Sequence, residues 1–407
     1  MGAVDLESVN DVFTVLCGVW VLFFKFGFAF VEAGKTDPHH TANVFLKNTA
    51  DTFISLVAFW LHGYAFAFGE HNSFIGGQFF LTLDGTNMTH FFFNYVRCAV
   101  ATTVALGAVN ERTEPIGYLI SGYVFAGFVY PVACHWVWDQ QGIFNSGNSS
   151  FPVQDFAGSG VLFLLGGSAA AMSLRIIGPR AGRWTPHFKQ REHNLSLTVL
   201  GSFMQMVGFL GLVLGSYSSV AALREGQMAA LCVVNVLLAG ATAGLYSLVI
   251  MRMHRNYYDL DNMLRAAVAG MVAVSAGADT YIPGLAIMCG ATTSLIFLGV
   301  HFFITRIQVD DPLQVIPVYL TSGAWGLLYA GLFSDQGVLG GRGQQGIRNN
   351  GVAMLVLFLW AVAIMHPLFC VFKFFRVLRV PRFMEKHGID KYRHELRHPH
   401  GTRKWLN

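Results

Sequence analysis

Residues 10–33 read NDVFTVLCGVWVLFFKFGFAFVEA, and between Val12 and Val31 the only charged residue is Lys25. A helix rises 1.5 Å per residue, so twenty such positions cover about 30 Å, the thickness of a bilayer's hydrocarbon core. The segment reads as a membrane-spanning helix, and the rest of the chain repeats it. Further apolar blocks lie near 44–69, 90–109, 114–137, 155–177, 196–219, 226–251, 260–278, 281–305, 313–334 and 351–376. The eighth, 260–278, is short and rich in Ala and Gly. The fold class expected is an all-α polytopic membrane protein with eleven transmembrane helices.

Composition points the same way. Charged residues make up 12% of the chain and hydrophobic ones 54%, with a mean hydropathy of +0.48, whereas soluble domains carry roughly 25% charge. No polar stretch outside the tail is long enough to form a soluble domain, and no soluble enzymatic site is visible. The net charge of +4 comes from short loops and the tail, so it does not indicate nucleic acid. The six cysteines all lie inside apolar blocks without a CxxC pair, which reads as small buried side chains rather than a disulfide frame or metal site. No cofactor is expected. The acidic start, MGAVDLESVND, lacks the basic region of a signal peptide, and Leu6 stands where a myristoylation signal wants Ser or Thr. The first block is therefore expected to be retained as a span.

Lys and Arg set the orientation. Connections after odd-numbered blocks hold Lys35, Lys47, Arg112, Arg180, Arg183, Lys189, Arg191, Arg252, Arg255 and Arg306, and the tail from Lys373 to Lys404 adds ten more. Connections after even-numbered blocks hold only Arg224, Arg342 and Arg348. The odd-side loops and tail are thus expected in the cytoplasm and the N-terminus outside. Sequons at Asn87 and Asn148 fall on the expected outer side, which fits a glycoprotein of a eukaryotic plasma membrane. Gly341-Arg-Gly-Gln-Gln-Gly346 matches a dinucleotide fingerprint only as a string. It follows a span rather than a strand, so it reads as an external loop.

A charge inside a span is costly and marks a pathway by default. Lys25 is deep enough to need an interior polar partner. Arg97, in the outer half of the third block, could instead extend its long stem past Tyr95 and Phe93 to the surface. Spans three to six are rich in Gly, Ala and Ser, as in GSGVLFLLGGSAAAMS, which lets helix backbones approach closely.

Several further segments share one pattern. The fifth block opens Asp155-Phe-Ala-Gly-Ser-Gly and runs to LRIIGPRAGRW; the sixth follows His193-Asn-Leu-Ser-Leu-Thr-Val-Leu-Gly and ends Leu-Gly-Ser216. With FAFVEAGKT, GAVNERT, HWVW, DDPLQVIPV and GAWGLLYAGLF, the chain resembles the ammonium transporter (Amt) family, related to the Rh proteins, from the first span to the eleventh. The resemblance implies a transmembrane domain over 1–376 and a basic tail over 377–407. Within it, spans one to five (about 10–177) and six to ten (196–334) would form an inverted repeat, followed by the eleventh span, 351–376. It also implies a homotrimer with one pore per subunit. The tail stretch Leu378 to His394 resembles the family's cytoplasmic regulatory segment, a possible contact for a regulator. A run this basic would equally lie on anionic membrane lipid.

The resemblance places Trp138, Ser216 and Asp155 in the substrate site at the outer mouth, the first two catching ammonium and Asp155 matching the family's structural Asp at the start of span five. The face of a Trp ring attracts a desolvating cation, although Trp138 could also be an interfacial anchor. Phe209 would line the pore. At the family's two gate phenylalanines this chain has Arg97 and Leu212, and at its two pore histidines it has Phe163 and Tyr319. Phe163 can neither donate nor accept a hydrogen bond, and Tyr319, with an ordinary pKa near 10, relays protons poorly by itself. Two readings stay open: a transporter or channel for ammonium or ammonia, and a non-conducting ammonium sensor or regulatory subunit. A third, an anionic solute drawn by Lys25 and Arg97, is the least developed.

Overall fold

In hydrocarbon every backbone N–H and C=O must be satisfied within the chain, so apolar segments have to be helical. The computed structural model describes residues 6–393 apart from 84, 146, 148, 186–193, 218–219, 221–224 and 336. The Asn148 sequon and the last residues of the tail lie outside the described residues. Each of the eleven apolar blocks is helical over most of its length: α1 (Leu6–Lys35), α2 (Pro38–Phe68), α3 (Met88–Gly107), α4 (Pro115–Trp138), α5 (Ser159–Ile177), α6 (Leu195–Gly215), α7 (Glu225–Arg255), α8 (Leu260–Val274), α9 (Pro283–Arg306), α10 (316–333) and α11 (Gln344–Phe374). Among the described residues nine of these are long and apolar enough to cross a membrane; α3 and α8 are not in that group. Helix α3 carries Asn94 and Arg97. With 15 residues, α8 reaches only about 22 Å, and nearly all of it is buried between neighbouring helices.

Close helix packing needs residues without bulk. A Cβ on Gly27 of α1 would lie 2.4 Å from the Gly201 carbonyl oxygen of α6, and one on Gly201 would lie 2.4 Å from that of Gly27. This reciprocal contact seats α1 backbone to backbone against α6. Where tails of lipid are as apolar as the helix, such van der Waals contact is what holds helices together. Helix α11 keeps a lipid-type face instead, with Leu355, Leu359 and Val371 exposed.

Two short tail helices, α12 (Arg382–His387) and α13 (Ile389–Arg393), follow α11. They dock on the end of the bundle away from the start of α1. The Asp390 carboxylate accepts from the backbone N–H groups of Ala42 (2.9 Å) and Asn43 (2.8 Å) at the start of α2. Val380 N donates to the Arg112 carbonyl (3.1 Å), and Glu114 N to that of Leu378 (3.0 Å).

Candidate functional site

The fifth and tenth helices each open on a π-helical turn, Ser159–Leu164 and Ile316–Thr321. Such turns widen the helix and free backbone groups, and they cluster at functional sites. Each is pinned by an aspartate just ahead of it. Asp155 Oδ2 accepts from the N–H of Gly160 (3.0 Å) and Val161 (2.9 Å), and Asp311 Oδ2 accepts from that of Ile316 (2.8 Å). The carboxylate of Asp155 therefore holds a turn and is nearly fully buried, instead of facing the outer mouth.

The two turns deliver Phe163 and Tyr319 to one interior point. Their rings stack at 5.8 Å, Phe163 stacks on Phe209 at 5.2 Å, and Phe24 meets all three at 5.3–6.2 Å. Phe28 lies 6.1 Å from Tyr319. Aromatic contacts in this range are favourable beyond simple burial, so the cluster is a packed plug. Leu212, one turn beyond Phe209 on α6, is buried too. The Tyr319 hydroxyl lies beside the Gln205 amide without a well-formed hydrogen bond.

Trp138 ends α4, and its indole Nε1 donates to the Asp155 carbonyl at 2.8 Å. The ring face is not free. The Arg97 guanidinium carbon sits 3.5 Å from the ring centroid, with Phe93 on another side at 5.4 Å. Arg97 is 7% exposed, so it does not reach the surface. Its Nη1 has one long hydrogen bond to Asn94 (3.4 Å), and its Nε and Nη2 are buried without a partner among the described residues. The protein thus places its own cation on the aromatic surface expected, from the family resemblance, to meet ammonium.

Ser216 caps α6 and donates to the Leu212 carbonyl at 2.9 Å. It lines a cavity of about 230 Å³ together with Arg97, Asn94, His90 and Asp11. Trp138 instead borders a separate cavity of about 380 Å³ with Glu70, His90 and Asp139. The structure therefore brings Arg97 to Trp138 and Phe163 to Tyr319, while Trp138 and Ser216 each border a cavity that His90 also lines.

Sequence reasoning missed three residues here. His90 lines both cavities and bonds the Tyr64 hydroxyl at 2.8 Å; nothing in its local sequence marks it. Asp51 is the interior partner of Lys25, at 2.6 Å. Asp311 could have been found, because the chain carries a spaced duplicate. Asp155, Phe163 and Gly167 recur as Asp311, Tyr319 and Gly323, each pair 156 positions apart. The glycines even pack reciprocally, Gly167 against the backbone of Leu320 and Gly323 against that of Leu164.

An apolar helical shell around two aspartate-pinned π turns, with a mouth of aromatic and polar groups above them, defines a polytopic membrane protein of the transporter type. The profile of the Ammonium Transporter Family matches residues 12–398. Among similar proteins, "Putative ammonium transporter 1" of Caenorhabditis elegans is 33% identical over 97% of this chain and 79% of its own length. "Ammonium transporter 1 member 1" of Oryza sativa subsp. japonica is 32% identical, covering 89% and 80%. A solved "Sensor Amt Protein" superposes with a TM-score of 0.87 at 26% identity, over 96% of this chain and 99% of that one. Candida albicans Mep2 shares the fold at a TM-score of 0.84 and 19% identity, over 93% and 88%. The chain belongs to the ammonium transporter family.

Proposed function

We propose that this chain transports ammonium nitrogen across the membrane, and that it does so in electrically silent form, as ammonia. One observation carries the second half: Arg97 stacks on Trp138 at 3.5 Å. An Arg side chain keeps its charge. A bare cation about 6 Å away would feel about 3 kcal/mol of repulsion at an effective dielectric near 20, a repulsion that a neutral molecule escapes. The proton stays behind in the mouth-side water. Purified protein in liposomes under an ammonium gradient tests this, with current and internal pH recorded together. Alkalinisation inside without current is expected; robust current from the unmodified protein would overturn it.

A second reading is favoured by the Phe163–Tyr319–Phe209 stack, which offers no continuous polar relay: a non-conducting sensor. It predicts ammonium binding with neither current nor alkalinisation above that of empty liposomes. Under either reading, the combined change Phe163→His, Tyr319→His and Arg97→Phe should create or raise ammonium-driven current.

The same reading extends to architecture. Counting α3 and α8 as spans makes eleven, with the N-terminus outside and the tail in the cytoplasm of a plasma-membrane protein. The 156-residue offset of the Asp, aromatic and Gly positions supports an inverted repeat over about 10–177 and 196–334, followed by the eleventh span. Family membership supports a homotrimer. The tail's bonds to α2 and to the Arg112 and Glu114 segment support a regulatory role for 377–407.

A further inference from the structure

Far from the pore, the loop after α5 and the tail enclose a cavity of about 410 Å³ lined by Arg180, Arg183, Trp184, Arg379, Arg382 and Lys386. Five of these six side chains are cations. The nearby carboxylates are already committed and do not line it. Asp310 accepts from Arg112 (2.7 Å), Arg180 (2.8 Å) and Arg183 (3.2 Å), and Glu385 pairs with Arg379 (2.8 Å) and the Ala181 N–H (2.7 Å). Glu111 pairs with Arg180 at 3.1 Å. Among the described residues, no Asp or Glu lines the cavity itself. Arg382 and Lys386 are exposed and have no carboxylate partner there. A second, independent observation is that Trp184, which lines the cavity, keeps its Nε1 shielded from solvent with no acceptor among the described residues. Guanidinium forks match phosphate oxygens in pairs, and an indole N–H offers one further donor to an acceptor oxygen.

We infer that this cavity is a binding site for a multiply charged phosphate group. Its walls come from two segments distant in sequence, 179–185 and 379–386. A bound phosphate therefore staples the tail to the loop, adding to the Arg379–Glu385–Ala181 bridge already there. Because the tail continues to Asp390 at the start of α2, occupancy of the cavity sets how firmly the tail is docked on the bundle. The inference concerns a different end of the molecule and does not depend on what passes the pore. The ligand's source is either a free phosphate compound or the phosphorylated headgroup of a membrane lipid.

The full-length protein in detergent would be titrated with inorganic pyrophosphate by calorimetry. In parallel it would be reconstituted in nanodiscs with or without phosphatidylinositol 4-phosphate, and tail exposure followed by limited proteolysis. Arg382→Gln/Lys386→Gln serves as the variant, because both side chains are exposed and outside the ion-pair network, so folding should be unaffected. Binding of either probe that falls at least tenfold in the variant, with slower tail cleavage in the wild type, supports the site. Pyrophosphate alone acting assigns a free ligand, and the phosphoinositide alone a lipid headgroup. No binding of either probe, or equal binding by wild type and variant, overturns it.

Discussion

Lys25 and Arg97 are both cations buried inside the bundle, and they are held in opposite ways. Around Lys25 three helices converge: its ammonium bonds Asp51 of α2 at 2.6 Å and Thr103 of α3 at 2.7 Å, and Thr103 in turn donates to Asp51 at 2.7 Å. Around Arg97 there is no carboxylate within ion-pair range among the described residues, only the faces of Trp138 and Phe93 and one long bond to Asn94. Asp155, which could have compensated it, gives its carboxylate to the turn ahead of Phe163. A buried charge with its counter-ion locks helices together, whereas one resting on aromatic rings leaves an uncompensated field at the mouth. The first is architecture, and the second answers to whatever enters.

The comparison can be broken most sharply at Asp51. Breaking a buried pair by removing one partner costs about 3–5 kcal/mol, so Asp51→Ala should lower the melting temperature and folded yield markedly. Replacing both partners, Lys25→Met with Asp51→Leu, should restore most of the loss. An Asp51→Ala protein that melts like the wild type would show that the pair is not structural.

At Arg97 the expected effect falls on the ligand rather than the fold. Arg97→Gln should leave melting unchanged or raise it, and should tighten ammonium binding by about a hundredfold, the equivalent of about 3 kcal/mol at 6 Å. Trp138→Ala then sharpens the point. In the Arg97→Gln background it should weaken ammonium binding by the worth of one cation–π contact, about 0.5–2 kcal/mol. With Arg97 present the ring is already covered, so the same change should alter ammonium binding little. Calorimetric titration of the four proteins checks both statements, and equal effects of Trp138→Ala in both backgrounds would mean that Arg97 leaves the ring before ammonium arrives.

The mildest expectation concerns the paired charges at the tail end. Burial alone would raise the Asp310 carboxyl, but the hydrogen bonds and charges of Arg180 and Arg112 outweigh it and hold the group well below the usual carboxylate range. A depressed folded value contributes stability that is present above the unfolded value near 4 and is lost as pH falls through the folded one. Tail cleavage by an acid-tolerant protease should therefore be flat from pH 7 to about 5 and rise only below about pH 4. A rise already at pH 6 would place the sensitive group elsewhere.

Much of this was legible in the sequence, and the limit has a physical cause. Twenty apolar residues flanked by polar ones specify a helix across a bilayer whatever surrounds them, because lipid leaves the backbone no other partner. The apolar helices could thus be read off directly, and the family resemblance drew attention to Arg97, Leu212, Phe163 and Tyr319. The duplicated Asp, aromatic and Gly spacing was legible as well, and reading each segment alone is what concealed it. Tertiary structure alone decided who meets whom. Asp51 lies 26 residues from Lys25, Trp138 lies 41 from Arg97, and Asp390 lies 348 from the Ala42 N–H that it caps. Burial energy depends on a residue's own side chain and its immediate run, so sequence carries it. Charge pairing, ring stacking and the docking of the tail depend on distances set by the packing of all the helices together, and no local pattern encodes those.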